Sequence, residues 1–319
     1  MKRALVGYTG FVGSNLNLAG KFDAVYNSKN IQDAFGTQPD ILYYAGLRAE
    51  KFLANKMPEK DKALIDEAIN NIQKIAPKKL VLISTIDVYK NPVDVDEDTK
   101  IDTDNLHPYG YNRYLLEQWV QQHMEDYLIV RLPGLFGKNI KKNFIYDYIH
   151  VLPAMLTEEK MMSLQEKAKE FSDDLLQYYK KQDNGFYKYI PLEADSERKE
   201  QEKHLRELFG KLGFSALQFT DSRGIFQFYD LSNLYQDIET ALQNTIQLLN
   251  IATEPVSVAE VYERLEGKAF VNEIAANAPY YNYRTKYADK FGGTNGYLAD
   301  KATVLKQIED FVKTEKETL

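Results

Sequence analysis

Cysteine is absent from the 319-residue chain, which excludes disulfides and thiolate metal sites. Histidine is scarce: His107, His123, His150 and His204 are the only four, and none stands at ligand-like spacing, so no zinc or other metal centre is expected. There is no run of about 18 apolar residues that could span a bilayer. The opening MKRALVGYTG has two early cations but reaches glycine after four further positions, too short for the apolar core of a signal peptide. A cytoplasmic protein without a membrane partner is the expectation. Positive charge is also in deficit, with 40 Lys and Arg against 47 Asp and Glu and a formal net charge of −7. A nucleic-acid binder needs a basic face, so that class is set aside. What remains is the balance of a soluble globular protein, 44% hydrophobic and 27% charged, long enough for one large α/β domain with a substrate lobe or for two ordinary domains. No internal repeat or low-complexity linker is present.

Short apolar runs alternate with amphipathic stretches through the first third. Strands are predicted at Arg3–Val6, Ala24–Tyr26, Asp40–Tyr44, Lys79–Ser84 and Tyr127–Leu132, and helices at Phe11–Leu18, Pro58–Ile75 and Tyr109–Glu125. In the second helix Ala63, Leu64, Ala68, Ile72 and Ile75 recur at roughly the helical period. KLVLIS (79–84) carries no charge after its first residue, as suits a strand buried on both faces. The alternation predicts an α/β fold: a Rossmann-type doubly wound parallel sheet with helices on both faces. Its ligand crevice is expected at the carboxyl ends of the strands. From about Gly137 the texture changes, and charge-rich surface helices are predicted over Glu158–Tyr179 and Asp195–Lys211. Phe226–Asp230 reads as a strand returning to the core, followed by a helix over Leu231–Leu242, and the tail after Val256 as two or three more helices. The expected division is a dinucleotide-binding domain of 1–136 and about 225–250. A smaller, mostly helical substrate lobe takes about 137–224 and 251–319.

Gly7-Tyr8-Thr9-Gly10-Phe11-Val12-Gly13 lies between the first strand and the first helix. A turn of this kind lets backbone approach a pyrophosphate, and the helix N-terminus adds free N–H groups and a positive dipole end. Its spacing is G-x-x-G-x-x-G. About 20 positions on, such sites carry the residue that reads the adenosine ribose, where an acid favours NAD. Here Asn27, Ser28 and Lys29 follow the second strand. A hydroxyl, an amide and a cation suit a 2′-phosphate better, so NADP is slightly preferred over NAD.

The fourth strand runs into Ser84-Thr85-Ile86-Asp87-Val88-Tyr89, and a helix opens at His107-Pro108-Tyr109-Gly110-Tyr111-Asn112-Arg113. Tyr109 and Arg113 are four apart and share a helical face. A phenol titrates ordinarily near about pH 10, and a nearby cation lowers it by about one to three units. The Thr85 or Ser84 hydroxyl can hold a reacting oxygen while Tyr109 moves the proton and a cofactor moves the hydride.

With these motifs on the page, the chain resembles the extended short-chain dehydrogenase/reductase family, which includes sugar-nucleotide epimerases, dehydratases and reductases. The resemblance rests on the glycine turn, the third strand ending Ala45-Gly46, S-T-x-x-V-Y, P-Y-x-x-x-R, Arg131-Leu132-Pro133-Gly134-Leu135-Phe136-Gly137 and Phe226-Gln227-Phe228-Tyr229-Asp230-Leu231. It covers residues 1–245 and leaves 158–220 unmatched. It implies a nicotinamide dinucleotide held by Gly7, Thr9, Gly10, Phe11, Val12, Gly13, Ala45, Gly46, Ser84, Tyr109, Arg113, Leu132 and Pro133. Thr85, Tyr109, Arg113 and Asp87 form the implied catalytic set, and a homodimer is implied through the helices at 60–75 and 109–125. The departure is Arg113, where the family has a lysine that bonds the nicotinamide ribose and lowers the tyrosine pKa; arginine keeps the charge but is bulkier and takes no part in a proton relay.

Three chemistries share the scaffold. The resemblance places an acid and a base of the 4,6-dehydratases directly after the threonine, where this chain has Ile86 and Asp87. Loss of the acid favours a reductase or epimerase of a nucleotide-activated deoxysugar, with the dehydratase behind. A non-catalytic dinucleotide-binding sensor and a structural subunit of a glycan-assembly complex stand as alternatives. The substrate diphosphate needs cations, and Lys138 and Arg223 are the candidates, with Lys141, Lys142 and Arg284 behind; Ser84 is a further candidate substrate contact.

Overall fold

In the computed structural model the described residues are 1–168, 172–183, 185–190 and 196–318. They fall into two compact units, the first made of Met1–Ile140, Ile225–Val256 and Pro279–Ile308, the second of Lys141–Gly224, Ser257–Ala278 and Glu309–Leu319. The first unit therefore takes in residues 279–308 as well as the expected N-terminal segment.

Strands β1 (Arg3–Val6), β2 (Ala24–Tyr26), β3 (Ile41–Tyr44), β4 (Lys79–Thr85) and β5 (Tyr127–Leu132) fall within a residue of the alternating runs in the sequence. Gly134–Phe136 (β6) pairs in parallel with Phe228–Asp230 (β7), and Leu248–Asn250 (β8) joins the main sheet beside β5. The six strands stand in the order β8-β5-β4-β3-β1-β2, all parallel. This is the Rossmann-type doubly wound sheet expected from the alternation. The chain reverses direction of winding between β1 and β3, and the ends of those two strands form the crevice where such sheets bind ligands. Every residue of β3 is buried, as are four of the six after Lys79 in β4, which is why these strands show no hydrophobic alternation.

Helices α1 (Phe11–Ala19), α2 (Lys51–Lys56), α3 (Pro58–Ile75), α4 (Pro108–His123) and α5 (Leu234–Gln243) cover the sheet. The face of α3 that is buried reads Asp61, Ile65, Ala68, Ile72 and Ile75. That spacing of four and three residues is the helical period, and it puts Ala63 on the exposed side instead of the core. Asp61 is thus a charged residue set into an apolar stripe. Helix α4 repeats the pattern, with Arg113 and Glu117 buried beside Tyr109, Leu116 and Val120. Glu117 binds Arg131 of β5 through Nε and Nη2, at 2.6 Å for the shortest contact, and Arg131 Nη1 donates to the Tyr89 hydroxyl at 2.7 Å.

The second unit has its own core. Helices Glu158–Ala168 and Ser196–Lys211 bring Met161, Leu164, Leu205 and Phe209 together with Leu156, Leu175, Tyr179 and Phe214. A third helix, Ser172–Tyr178, replaces the end of the helix expected over 158–179; residues 169–171 of that expectation, and Asp195 of the next, lie outside the described residues. Met155–Leu156, Tyr179–Lys181 and Tyr187–Tyr189 form a small antiparallel sheet that periodicity did not reveal, because strands of two or three residues show no repeat. Among the described residues no helix is long and apolar enough to cross a membrane.

In helix Phe144–His150, burial pushes the Asp147 carboxyl up to about 7. The folded state therefore keeps its proton across a range where the unfolded chain, near 3.8, has lost it. Its contribution is fully present below the unfolded value and disappears as pH rises through about 7. Asp147→Asn is expected to raise the melting temperature at pH 8 and to reduce the fall in melting temperature between pH 5 and pH 8. Equal falls in the two proteins would show that the carboxyl is not held protonated.

Candidate active site

The glycine turn has the geometry of a phosphate cradle. Gly7 has φ +94°, and a Cβ there would lie 2.4 Å from the carbonyl oxygen of Ala45, so β1 and the end of β3 touch through backbone alone. A Cβ on Gly13 would lie 2.1 Å from the Gly7 carbonyl oxygen; only glycine lets α1 pack onto the turn. Gly10 differs, since its nearest neighbour would be the Gly7 oxygen at 3.3 Å. It caps α1 with no side-chain hydrogen bond, and Thr9 and Gly10 are exposed. The first N–H groups of α1, at Phe11, Val12 and Gly13, follow directly, and a helix start leaves such groups without intrahelical partners. The residues present therefore fit a dinucleotide pyrophosphate. Gly46 is exposed beside the turn, while Leu132 is buried and Pro133 half-buried at the end of β5.

After β2, Asn27 is used in the turn itself: its Oδ1 accepts from the Lys29 N–H at 2.9 Å, and its own N–H donates to Asn30 Oδ1 at 2.8 Å. The side chains of Ser28 and Lys29 are left exposed.

Tyr109 is buried at the start of α4, its N–H bonded to Asn55 Oδ1 at 2.9 Å, and its hydroxyl lies within electrostatic reach of Thr85. Pro108 at the first helical position and His107 as the cap, accepting from the Gly110 N–H at 3.0 Å, fix where the helix begins. A Cβ on Gly110 would lie 2.1 Å from the Asp87 carbonyl oxygen, so α4 starts against the loop that carries Thr85 and Asp87. Arg113 lies with its guanidinium carbon 4.6 Å from the centre of the Tyr109 ring.

The guanidinium does not reach outward. It is 3% exposed and makes a two-pronged pair with Asp61, Nη1 to Oδ2 at 2.9 Å and Nη2 to Oδ1 at 3.0 Å, and Nη2 also donates to the Arg48 carbonyl at 2.8 Å. Asn112 Nδ2 adds a third donor to Asp61 at 2.9 Å. Burial pushes the Tyr109 phenol above its ordinary value, and the Arg113 guanidinium and the Thr85 side chain offset this only in part. The cation beside the phenol thus works against burial without overcoming it, and the Asp61 and Asp87 carboxylates add to the upward shift.

Asp87 receives Lys51 Nζ at 2.8 Å and the Tyr281 hydroxyl at 3.4 Å, both on Oδ1. Three sequence candidates stand apart from this group. The Ser84 hydroxyl donates to Glu117 and is buried with it. Lys138 is exposed, and its backbone carbonyl accepts from Asn15 at 2.8 Å. Arg223 belongs to the second unit, where Nε and Nη2 clasp Asp221 at 2.9 and 2.7 Å and Nη2 also donates to the Ala275 carbonyl. Its charge is committed to its own loop. Arg284, in the first unit, donates to the Asn295 carbonyl at 2.9 Å. Lys51, Asp61 and Tyr281 were missed by the sequence reading. Asp61 left a signal, a carboxylate in an apolar stripe; Lys51 and Tyr281 left none in local spacing.

The model of the NAD dependent epimerase/dehydratase family matches residues 24–172. A search of curated proteins finds no match. Among solved structures, RMD from Pseudomonas aeruginosa complexed with NADPH is similar at 13% identity over 100% of each chain, with a TM-score of 0.61. The dTDP-4-dehydrorhamnose reductase of Bacillus anthracis in complex with NADP shares 16% identity over 98% of this chain and 99% of that one, with a TM-score of 0.60. UDP-glucose 4-epimerase of Thermotoga maritima with UDP-glucose shares 12% over 100% and 99%, at 0.59. At these identities the likeness is one of fold, and it extends over both units.

Because the Asp61–Arg113 pair is buried and two-pronged, Arg113→Lys is expected to lower stability. An ammonium cannot reproduce the fork, and Asp61→Ala should cost about 3–5 kcal/mol by leaving the guanidinium without its counter-ion. Urea unfolding of both variants checks this; an Asp61→Ala loss under about 1 kcal/mol, the range of an exposed pair, would mean the pair is not buried in solution.

Proposed function

We propose that the protein is an NAD(P)-dependent reductase or epimerase of a nucleotide-activated deoxysugar, with Tyr109 as its acid/base. The observation that carries the reading is the buried Tyr109, within electrostatic reach of Thr85 at the carboxyl end of β4, on the same sheet edge as the glycine cradle. Similarity to reductase and epimerase structures holding NADPH, NADP or UDP-glucose supports it.

A nicotinamide dinucleotide held by the glycine turn of residues 7–13 and the start of α1 would supply the hydride, one hydrogen with two electrons, for reduction of a keto sugar at its carbonyl carbon. Thr85 holds the carbonyl oxygen through its hydroxyl. Tyr109 gives its proton to that oxygen, so the carbonyl becomes an alcohol and the phenol a phenolate, which is reprotonated from solvent. A phenol held above its ordinary value by burial keeps its proton until the oxygen turns basic, which suits a general acid in reduction. Asp61 and Arg113 position α4 beneath the ring. The exposed Ser28 and Lys29 favour a 2′-phosphate, hence NADP over NAD. Residues 141–224 supply most of the substrate lobe in this reading, with Lys138 at its margin, and two copies associate through the outer faces of α3 and α4.

The 4,6-dehydratase is the second reading, and a specific observation weakens it: Ile86, at the position of the acid, is buried in a cluster with Val88, Tyr89 and Tyr283.

Mass spectrometry of nucleotide sugars incubated with the protein and NADPH or NADH tests the reading. A 4-keto-6-deoxy sugar should gain two mass units, or an isomer should separate by chromatography, and Tyr109→Phe should reduce turnover by at least about a hundredfold while NADPH fluorescence titration shows unchanged affinity. Loss of water from a plain hexose would establish the dehydratase instead. No change in any sugar, with cofactor bound, would leave a dinucleotide-binding sensor.

A further inference from the structure

The family resemblance assigns the positive charge beside the reacting centre to position 113, and the structure uses that charge elsewhere. Arg113 is 3% exposed, both its terminal nitrogens are bonded to Asp61, and one also donates to the Arg48 carbonyl. A guanidinium so buried and so paired has its charge largely offset by its carboxylate. Yet the phenol of Tyr109 stands close enough to the Asp87 carboxylate to be affected by it, and a second negative charge developing on a sugar oxygen beside Asp87 would be repelled.

Lys51 is the cation that meets this need. It opens α2 after the carboxyl end of β3, and Asp87 follows the carboxyl end of the adjacent β4, the edge on which open α/β sheets bind their ligands. Its ammonium binds Asp87 Oδ1 at 2.8 Å, and the Tyr281 hydroxyl donates to the same oxygen at 3.4 Å. An ammonium has three donors, and this side chain is 40% exposed, so a donor remains for a third partner. As a stabilising ion pair the contact is worth little, about 0–1 kcal/mol for a pair of this exposure. As a device to hold one ammonium in place it is well made: a carboxylate on one side and a phenol from the returning 279–308 segment on the other. His107 adds no second cation here: it accepts at Nδ1 from the Gly110 N–H, and burial together with Lys51 holds its pKa down.

We infer that Lys51 is a substrate-contacting residue: fixed by Asp87 and Tyr281, its ammonium donates a hydrogen bond to the sugar of the bound nucleotide sugar, at the keto oxygen or the hydroxyl next to it. No covalent bond to Lys51 forms and no proton leaves it; the proton still comes from Tyr109. This inference rests on the proposed function for the identity of the ligand, and its test separates the two.

Full-length wild-type protein, Lys51→Met and Lys51→Arg are compared by calorimetric titration, in the presence of NADP, with UDP-glucose and dTDP-glucose and with the matching nucleoside diphosphates lacking sugar. Lys51→Met should weaken the sugar nucleotide by about ten- to a hundredfold, the size of one charge-assisted hydrogen bond, and leave the nucleoside diphosphate within about twofold. Lys51→Arg, which keeps the charge, should recover most of the loss. In turnover of whichever sugar the mass-spectrometric panel identifies, kcat/KM should fall for Lys51→Met by a similar factor with NADPH affinity and melting temperature unchanged. Equal weakening of sugar nucleotide and nucleoside diphosphate, or a loss confined to NADPH affinity or to melting temperature, would overturn the inference and leave the proposed function standing. A Lys51-dependent preference for the sugar nucleotide in a protein that turns nothing over would keep the inference and remove the enzyme. If wild type binds no sugar nucleotide, both fall together.

Discussion

Helix α4 carries two full charges into the interior of the first unit, and each meets a counter-ion there: Arg113 with Asp61 of α3, and Glu117 with Arg131 of β5. Burying unpaired charge is prohibitive, whereas a two-pronged guanidinium–carboxylate pair with its remaining donors satisfied is tolerable. The consequence is geometric. Apolar contacts alone allow a helix to slide or roll by a fraction of a turn with little change in buried area. Two pairs four residues apart, one pointing to a helix and one to the sheet, fix both the rotation and the height of α4. Tyr109 is four residues before Arg113, so its hydroxyl position is set by the same lock.

That lock explains why the tyrosine sits as it does chemically. Its cation lies against the ring face, 4.6 Å from the centre, and the Asp61 carboxylate cancels much of its field. Burial therefore prevails and the phenol is held up. A single lysine would combine positioning with acidification; here the phenol is positioned but not acidified. Arg113 positions, and the positive charge near the reacting atoms falls to Lys51, tethered by Asp87.

Much of this was legible in the chain. The strand–helix alternation determines a parallel sheet because each strand is buried on both faces, and the glycine turn is readable because only glycine tolerates a Cβ-free contact at Gly7 and Gly13. Thr85 and Tyr109 were recoverable because a strand end and a capped helix start are local features. What was not legible is whatever depends on partners distant in sequence. Arg113 reads as an outward cation until Asp61 is placed 52 residues earlier against it; Ser84 reads as a ligand contact until Glu117 takes its hydroxyl; Arg223 reads as a phosphate clamp until Asp221 and the Ala275 carbonyl absorb it. For Arg113 and Ser84 the partner lay on another element, whereas Arg223 is held chiefly by Asp221, two residues before it. Tyr281 arrives from a segment nearly 200 residues beyond Asp87, and nothing in the local pattern of either residue announces the other.

The same placement bears on which reaction the site supports. Elimination of water needs an acid for the leaving hydroxyl and a separate base for the carbon proton. The position that would hold the acid, Ile86, is 3% exposed and packed against Val88 and Tyr283. A carboxylate there would enter an apolar cluster, so the loop conformation and the apolar residue belong together. Asp87, the remaining carboxylate, has one oxygen already engaged by both Lys51 and Tyr281. One carboxylate engaged by an ammonium, a phenol that holds its proton and a threonine hydroxyl make a poor elimination site. They make a competent one for moving a hydride and a proton across a carbonyl.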